Sequence, residues 1–165
     1  MRKGLKEIRI PKIYLETTMF NYYFDSERDA HADTVQLFEE VMSGKYQAFT
    51  SMYAIGELER APLEKSQKMI GLIKQYNITV LQYSDEANIL ATMYQEQGIL
   101  PARSTTDARH IAIAAVNDLD MILSLNFEHI VRKKTVIMTG SVNALHGYKA
   151  VDIRSPMEVV DREDS

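Results

Sequence analysis

Four polar residues stand where an apolar run ends, or in the helix expected to follow one. Glu16 closes Lys12-Ile-Tyr-Leu-Glu16, and Glu57 lies in Ala54-Ile-Gly-Glu-Leu-Glu-Arg60. Asp107 opens Thr106-Asp-Ala-Arg-His-Ile-Ala-Ile-Ala-Ala115, and Asn126 ends Met121-Ile-Leu-Ser-Leu-Asn126. Carboxylates gathered from distant parts of a chain repel one another, and a cation between them relieves the repulsion. Mg2+ and Mn2+ favour such hard oxygen ligands. Hydrolysis of a phosphodiester builds negative charge on the phosphoryl oxygens. A divalent ion offsets that charge and supplies hydroxide from bound water. The charged form of Asp107 is favoured by the dipole of the helix it opens. Each residue alone has a plainer use. An Asp in a first helical turn stabilises the helix end, a Glu after a strand is a solvated loop residue, and Asn forms turns. What points to chemistry is the set, provided the fold brings its members to one edge.

The elements around them predict that it does. Glu7 to Leu15 alternates and is rich in Ile and Tyr, which predicts a strand. Asp33 to Met42 carries Val35, Leu37, Phe38 and Val41 at helical spacing and closes near Gly44. Tyr46 to Thr50 predicts a short strand, and Ser51 caps a helix through Glu59 or Arg60. After Pro62, Glu64 to Tyr76 has a helical stripe of Met69, Ile70, Leu72 and Ile73, and Ile78 to Leu81 is a β-branched strand. Ser84 caps a helix from Asp85 to Gln97 that Gly98 stops. Thr105 or Thr106 caps another through about Val116, and Asp120 to Leu125 is a buried strand. Thr135 to Met138 is expected as a strand, Ser141 to Leu145 as a short helix, and Ala150 to Ile153 as a last strand. Strands alternating with helices predict an α/β fold with a parallel sheet covered on both faces. Such sheets bind ligands beyond the carboxyl ends of their strands, where the four residues fall.

A length of 165 residues suits one domain, 1–165, with one adequate core. The absence of cysteine excludes a disulfide framework, a thiolate zinc site and a cysteine nucleophile. Met1 to Lys12 holds five basic residues, but Glu16 interrupts the first apolar run, so no signal peptide is expected. No segment is long enough to span a bilayer, and a cytoplasmic protein is the expectation. The net charge of −4 gives nucleic-acid binding no support from bulk charge, so basic residues for that role must be grouped locally. No phosphate-binding Gly-rich loop and no serine nucleophile elbow is present.

The quoted segments resemble those of PIN domains. Lys12-Ile-Tyr-Leu-Glu-Thr-Thr18 resembles their opening hydrophobic-Asp-Thr-Ser/Asn motif, and Ala54–Arg60 their second acidic motif. Thr106–Ala115 is similar to the helix bearing the third acid, and Ile122–Ile130 to the strand and turn bearing the fourth position. The third and fourth, in order and at this separation, are the most specific. The resemblance runs from about Ile8 to Val159. It implies a three-layer α/β/α fold and a Mg2+- or Mn2+-dependent endoribonuclease, a class that includes VapC-type toxins. It also implies Glu16, Glu57 and Asp107 as metal ligands with Asn126 at the fourth position, and Thr17 beside the metal, holding water or a phosphate oxygen. An antitoxin partner, RNA as substrate and a homodimer are implied in the same way. The chain departs from the pattern at two places. Glu16 stands where the family usually has Asp, one methylene shorter. Asn126 stands where an acid is frequent, and brings a carbonyl ligand without charge.

Other residues compete for roles. Glu59 and Glu57 point to different faces of a helix, and the motif selects Glu57. His110 shares a helix face with Asp107 and reads either as a ligand or RNA contact, or as a hydrogen-bonded, partly buried histidine. His129 and His146 read as structural or surface residues. Arg132-Lys133-Lys134, Arg103 and Arg109 are candidates for phosphate contact, the first group also being an ordinary solvated turn. Asn21-Tyr-Tyr-Phe24 could stack bases or fill core. Two rival readings remain: an inactive PIN-like module that binds RNA or protein, and a receiver-type signalling domain. The second lacks its paired acids after the first strand and its late Lys.

Overall fold

The computed structural model describes residues 9–101, 104–127 and 129–161. Ile13, Tyr14 and Leu15 are fully buried. Strand β1 (Lys12–Leu15) is therefore covered on both faces, as a central strand of a parallel sheet is, and not alternating between core and solvent as its pattern suggested. It pairs in parallel with β2 (Gln47–Ser51) on one side and β4 (Met121–Leu123) on the other. Beyond these lie β3 (Thr79–Leu81) and β5 (Asp152–Arg154), giving an all-parallel sheet of order β3-β2-β1-β4-β5.

The pleat sends neighbouring side chains of one strand into different layers. Tyr14 and Ile122 join a core with Leu90, Tyr94, Ile111 and Ile153. This layer is built by α5 (Asp85–Glu96), α6 (Thr105–Val116) and α7 (His129–Leu145). Ile13, Leu15 and Leu123 join a second core with Phe20, Leu37, Phe38, Leu58 and Leu72. That layer is built by α1 (Thr17–Tyr22), α2 (His31–Met42), α3 (Met52–Leu58) and α4 (Leu63–Gln75), with α8 (Pro156–Val159) beside α2. The result is the expected three-layer α/β/α fold. No helix among the described residues is long and apolar enough to cross a membrane.

Local chemistry explains most of the boundaries. Ser51 and Ser84 accept the Ala54 and Ala87 amides, so both expected caps form. Before α6 the cap position falls on Ser104, without a side-chain bond. The helix α1 has only six residues and would be marginal alone. Burial of Met19 and Phe20 holds it in place. Within Asn21–Phe24, Tyr23 packs edge-on against Phe38 and Tyr76 in the core, while Phe24 is exposed.

One expected element is overturned. Thr135 to Met138, anticipated as a strand, lies inside α7, which also absorbs the short helix expected over Ser141 to Leu145. The buried positions are Thr135, Thr139, Val142 and Asn143, at helical spacing. Three of those four are polar, whereas the apolar Val131, Ile137 and Leu145 are exposed. The apolar period that normally reveals a helix is thus inverted, leaving only the β-branched propensity of Thr-Val-Ile to be read. The buried polar face is satisfied internally. Thr139 donates to the Thr135 carbonyl at 2.7 Å. Asn143 accepts from Tyr94 Oη at 2.5 Å and donates to the Lys149 carbonyl at 3.1 Å.

Asn143→Ala strands a buried phenol and a carbonyl, each a desolvated polar group without its partner. It should lower unfolding free energy by about 2–3 kcal/mol, measured as a shift of the urea midpoint.

Candidate active site

The strand order places a topological switch between β1 and β4, because β2 and β3 lie on one side of that junction and β5 on the other. Ligands of open α/β sheets bind at the carboxyl end of such a junction. Glu16 is the first residue after β1, and its amide extends the ladder by donating to the Leu123 carbonyl at 3.1 Å. The side chain is only 6% exposed. One carboxylate oxygen, Oε1, accepts from Ser124 Oγ at 2.7 Å and from Thr18 Oγ1 at 2.5 Å. Those hydroxyls in turn accept backbone amides of the turn after β4. Asn126 N–H donates to Ser124 at 3.0 Å, and Leu125 N–H donates to Thr18 at 2.9 Å. Glu16 therefore ties together the exits of β1 and β4.

Glu57 arrives from α3, whose start is set by the Ser51 cap at the end of β2. Its Oε1 also takes two donors, Thr17 Oγ1 at 2.7 Å and His110 Nε2 at 2.6 Å. Burial alone would raise the pKa of Glu57. The hydrogen bond and electrostatic pull of His110, the Thr17 hydroxyl and the charge of Arg60 outweigh it and hold the carboxyl below its ordinary value. Glu59, at the end of α3, is exposed to solvent.

Asp107 sits in the first turn of α6 and accepts no hydrogen bond from a described residue. Burial pushes its pKa up, and the negative charges of Glu16 and Glu57 push it further, against an opposing pull from His110. The three expected carboxylates thus sense one another across the same edge. His110 is 2% exposed, and both its ring nitrogens are engaged, Nε2 on Glu57 and Nδ1 on Tyr14 Oη at 2.5 Å. Tyr14 Oη also lies 2.7 Å from Ser51 Oγ.

The remaining candidates are spread more widely. Thr17 is spent on Glu57. Arg109 lies over the rings of Tyr53 and Tyr83, 5.3 and 5.6 Å from their centroids, on the same helix as Asp107. The Asn126 side chain is exposed, and its backbone is what meets the site, through Ser124. Arg132 is paired with Glu158 at the start of α7, while Lys133 and Lys134 are exposed. Arg103 and the His129 side chain lie outside the described residues, and His146 is an exposed residue beyond α7.

Sequence reading missed Ser124, Thr18, Tyr14 and Ser51 as members of the site. Ser124 and Thr18 lie within two residues of candidates already singled out, and that proximity was the available signal. Tyr14 resembled plain core, because its hydroxyl partner is distant in the chain.

In kind, the donor set fits a hard divalent cation. Glu16 Oε2, Glu57 Oε2 and the Asp107 oxygens carry no hydrogen bond, and none is sealed from solvent. Among the described residues, no lysine or arginine is bonded to any of the three. In position the set is incomplete. Among the described residues, no three His, Asp or Glu side chains already enclose one metal ion.

This architecture is the three-layer α/β/α PIN fold, as seen in solved VapC structures. The chain is similar to a solved structure of VapBC2 from Rickettsia felis bound to a DNA fragment from their promoter. The TM-score is 0.56 at 12% identity, over 87% of this chain and 98% of that one. It is also similar to VapC20 of Mycobacterium tuberculosis, a sarcin–ricin loop cleaving toxin. There the TM-score is 0.55 at 14% identity, over 71% of this chain and 90% of that one. At such identities the likeness is one of fold. No family model matches the sequence, and no curated protein matches it.

A raised carboxyl pKa in the folded state means that the ionised form costs stability at pH values above it and costs none once the group is protonated in both states. Asp107→Asn removes that cost. At pH 7–8 without divalent ions, the variant should melt above wild type. The difference should disappear as the pH falls below about 4. Scanning calorimetry across pH checks both parts.

Proposed function

We propose that this chain is an endoribonuclease that requires Mg2+ or Mn2+ and serves as the toxin of a toxin–antitoxin pair. The observation that carries the reading is the set of Glu16, Glu57 and Asp107. They come from three separate segments to the switch point of a VapC-like sheet, each with an oxygen left open to solvent. The chain is taken to work as one PIN-like unit.

Glu16, Glu57 and Asp107 would hold the ion, with Asn126 at the rim supplying its carbonyl oxygen or ordering water. A bound Mg2+ or Mn2+ supplies charge neutralisation at the phosphoryl oxygens and lowers the pKa of coordinated water. The protein supplies geometry. Glu16 and Glu57 each have one oxygen fixed by two donors, so the other is presented in a defined direction. Asp107, without such partners, is free to adjust to the ion and to the reacting phosphate.

RNA is the substrate in this reading. Arg109, fixed over Tyr53 and Tyr83 beside Asp107, is suited to a phosphate next to the cut. The exposed Lys133 and Lys134 add charge without sequence preference. Thr17 orients Glu57 rather than meeting substrate first. A protein antitoxin as partner, a homodimer and a cytoplasmic location belong to the same reading. They are supported by the fold it shares with VapBC2 and VapC20. The reading in which the module binds RNA without cutting it draws its weight from the uncharged Asn126 and from the incomplete enclosure of an ion.

Labelled RNA incubated with the chain decides between the two. Cleavage should require Mg2+ or Mn2+, stop with EDTA, and fall at least about 100-fold in Asp107→Asn while the circular dichroism spectrum is unchanged. Wild-type protein that yields no product in either metal would establish the binding module instead. Full activity in Asp107→Asn would remove that residue from the mechanism.

A further inference from the structure

Glu57 owes its orientation to a buried chain of groups that begins in the core. The Ala54 amide donates to Ser51 Oγ at 3.0 Å. Ser51 Oγ lies 2.7 Å from Tyr14 Oη, Tyr14 Oη lies 2.5 Å from His110 Nδ1, and His110 Nε2 lies 2.6 Å from Glu57 Oε1. Proton counting gives the chain a direction. An ionised carboxylate only accepts, so Nε2 must carry the hydrogen it donates to Glu57. Nδ1 can then accept from Tyr14, Tyr14 from Ser51, and Ser51 from the Ala54 amide. Every polar hydrogen along the path has one acceptor. Burial keeps the phenol protonated, as this direction needs.

The ring of His110 is also held sideways. It packs 5.4 Å from the Tyr14 ring and 5.3 Å from the Tyr53 ring, centroid to centroid. With 2% exposure and both nitrogens spent, it offers no atom to a substrate or an ion. What it offers is constraint. The terminal torsion of a glutamate is broad and poorly defined by itself. Donors from His110 and Thr17 converge on the same oxygen, so that torsion is fixed and Oε2 alone remains for ligation.

We propose that His110 is a positioning residue. Braced by Tyr14 and Ser51, it locks one oxygen of Glu57 and so presents the other to a divalent cation. The inference rests on the nuclease reading above and adds to it a residue that acts only through Glu57. Groups that orient a ligating side chain in this way typically contribute 10- to 100-fold in metal affinity or activity.

The test measures Mn2+ affinity by calorimetry, with Mn2+ alone as the probe, alongside RNA cleavage. Folded His110→Ala should bind Mn2+ about 10- to 100-fold more weakly than wild type. His110→Gln, whose amide N–H can stand where Nε2–H stands, should recover most of that loss. Tyr14→Phe should weaken binding several-fold in the wild-type background and have no further effect in His110→Ala, because its influence passes through the imidazole. A histidine that merely fills space would behave differently. Its two replacements would lower the melting temperature and leave the Mn2+ affinity of the folded protein at the wild-type level, and that result overturns the proposal. Should His110→Ala fail to fold, an unchanged Mn2+ affinity in Tyr14→Phe overturns it equally. Wild-type protein that neither binds Mn2+ nor cuts RNA would retire the nuclease reading itself, and this inference with it.

Discussion

Three carboxylates at one edge of a sheet repel one another, and burying them multiplies the cost. The surroundings of Glu16, Glu57 and Asp107 show how the fold tolerates this. Glu16 is the most enclosed, and its Oε1 is met by two hydroxyls that are themselves held by backbone amides. Glu57 is met by a hydroxyl and an imidazole. Asp107 accepts no hydrogen bond from a described residue, and burial first, then the charges of Glu16 and Glu57, raise its pKa. The fold satisfies one oxygen each of Glu16 and Glu57 with hydrogen-bond donors and leaves the other oxygens without a described partner, at the edge where a cation has access. Sites that must bind or react commonly retain such a cost.

The donors that do this come from rigid parts of the molecule, which is what precise positioning needs. Thr17 and Thr18 lie in α1, directly after β1, and Ser124 follows β4. His110 projects from the buried face of α6, where Ala108, Ile111, Ala112 and Ala115 pack into the core. The second and third turns of α6 are thus part of the core while its first turn carries Asp107. A single helix couples core packing to site geometry. The strained alternative, a set of carboxylates on mobile loops, would lose its alignment whenever the loops moved.

Much of this was legible from local pattern. Apolar strands broken by caps such as Ser51 and Ser84 are local events, governed by side chains within a few residues of the backbone they satisfy. The placement of Glu16 after a strand, of Asp107 in a first turn and of Glu57 in the helix after β2 follows from the same reading. What failed was α7, because its buried face is Thr135, Thr139 and Asn143 and its exposed face includes Ile137 and Leu145. With Val142 the one buried apolar residue of α7 among the described residues, and Asn143 bonded to Tyr94 and the Lys149 carbonyl, the helix has no apolar period to detect. Asn126 was singled out from its place after β4. It is Ser124, two residues earlier and aligned with the sheet exit, whose side chain meets Glu16.

By itself, then, the order of residues determined the alternation of strands and helices, the buried character of β4, and three acids placed at the ends of apolar runs or in the helices that follow them. Each depends on periods of two or 3.6 residues and on caps that reach no further than one helical turn. Tertiary structure alone decided which strands became neighbours, and hence that the exits of β1 and β4 meet at the switch point. It also decided that His110 turns inward to Tyr14 and Glu57 instead of outward to a ligand. The physical reason is that these partners lie far apart along the chain. Hydrogen bonds between them exist only once the sheet order and the packing of α6 have set their distances.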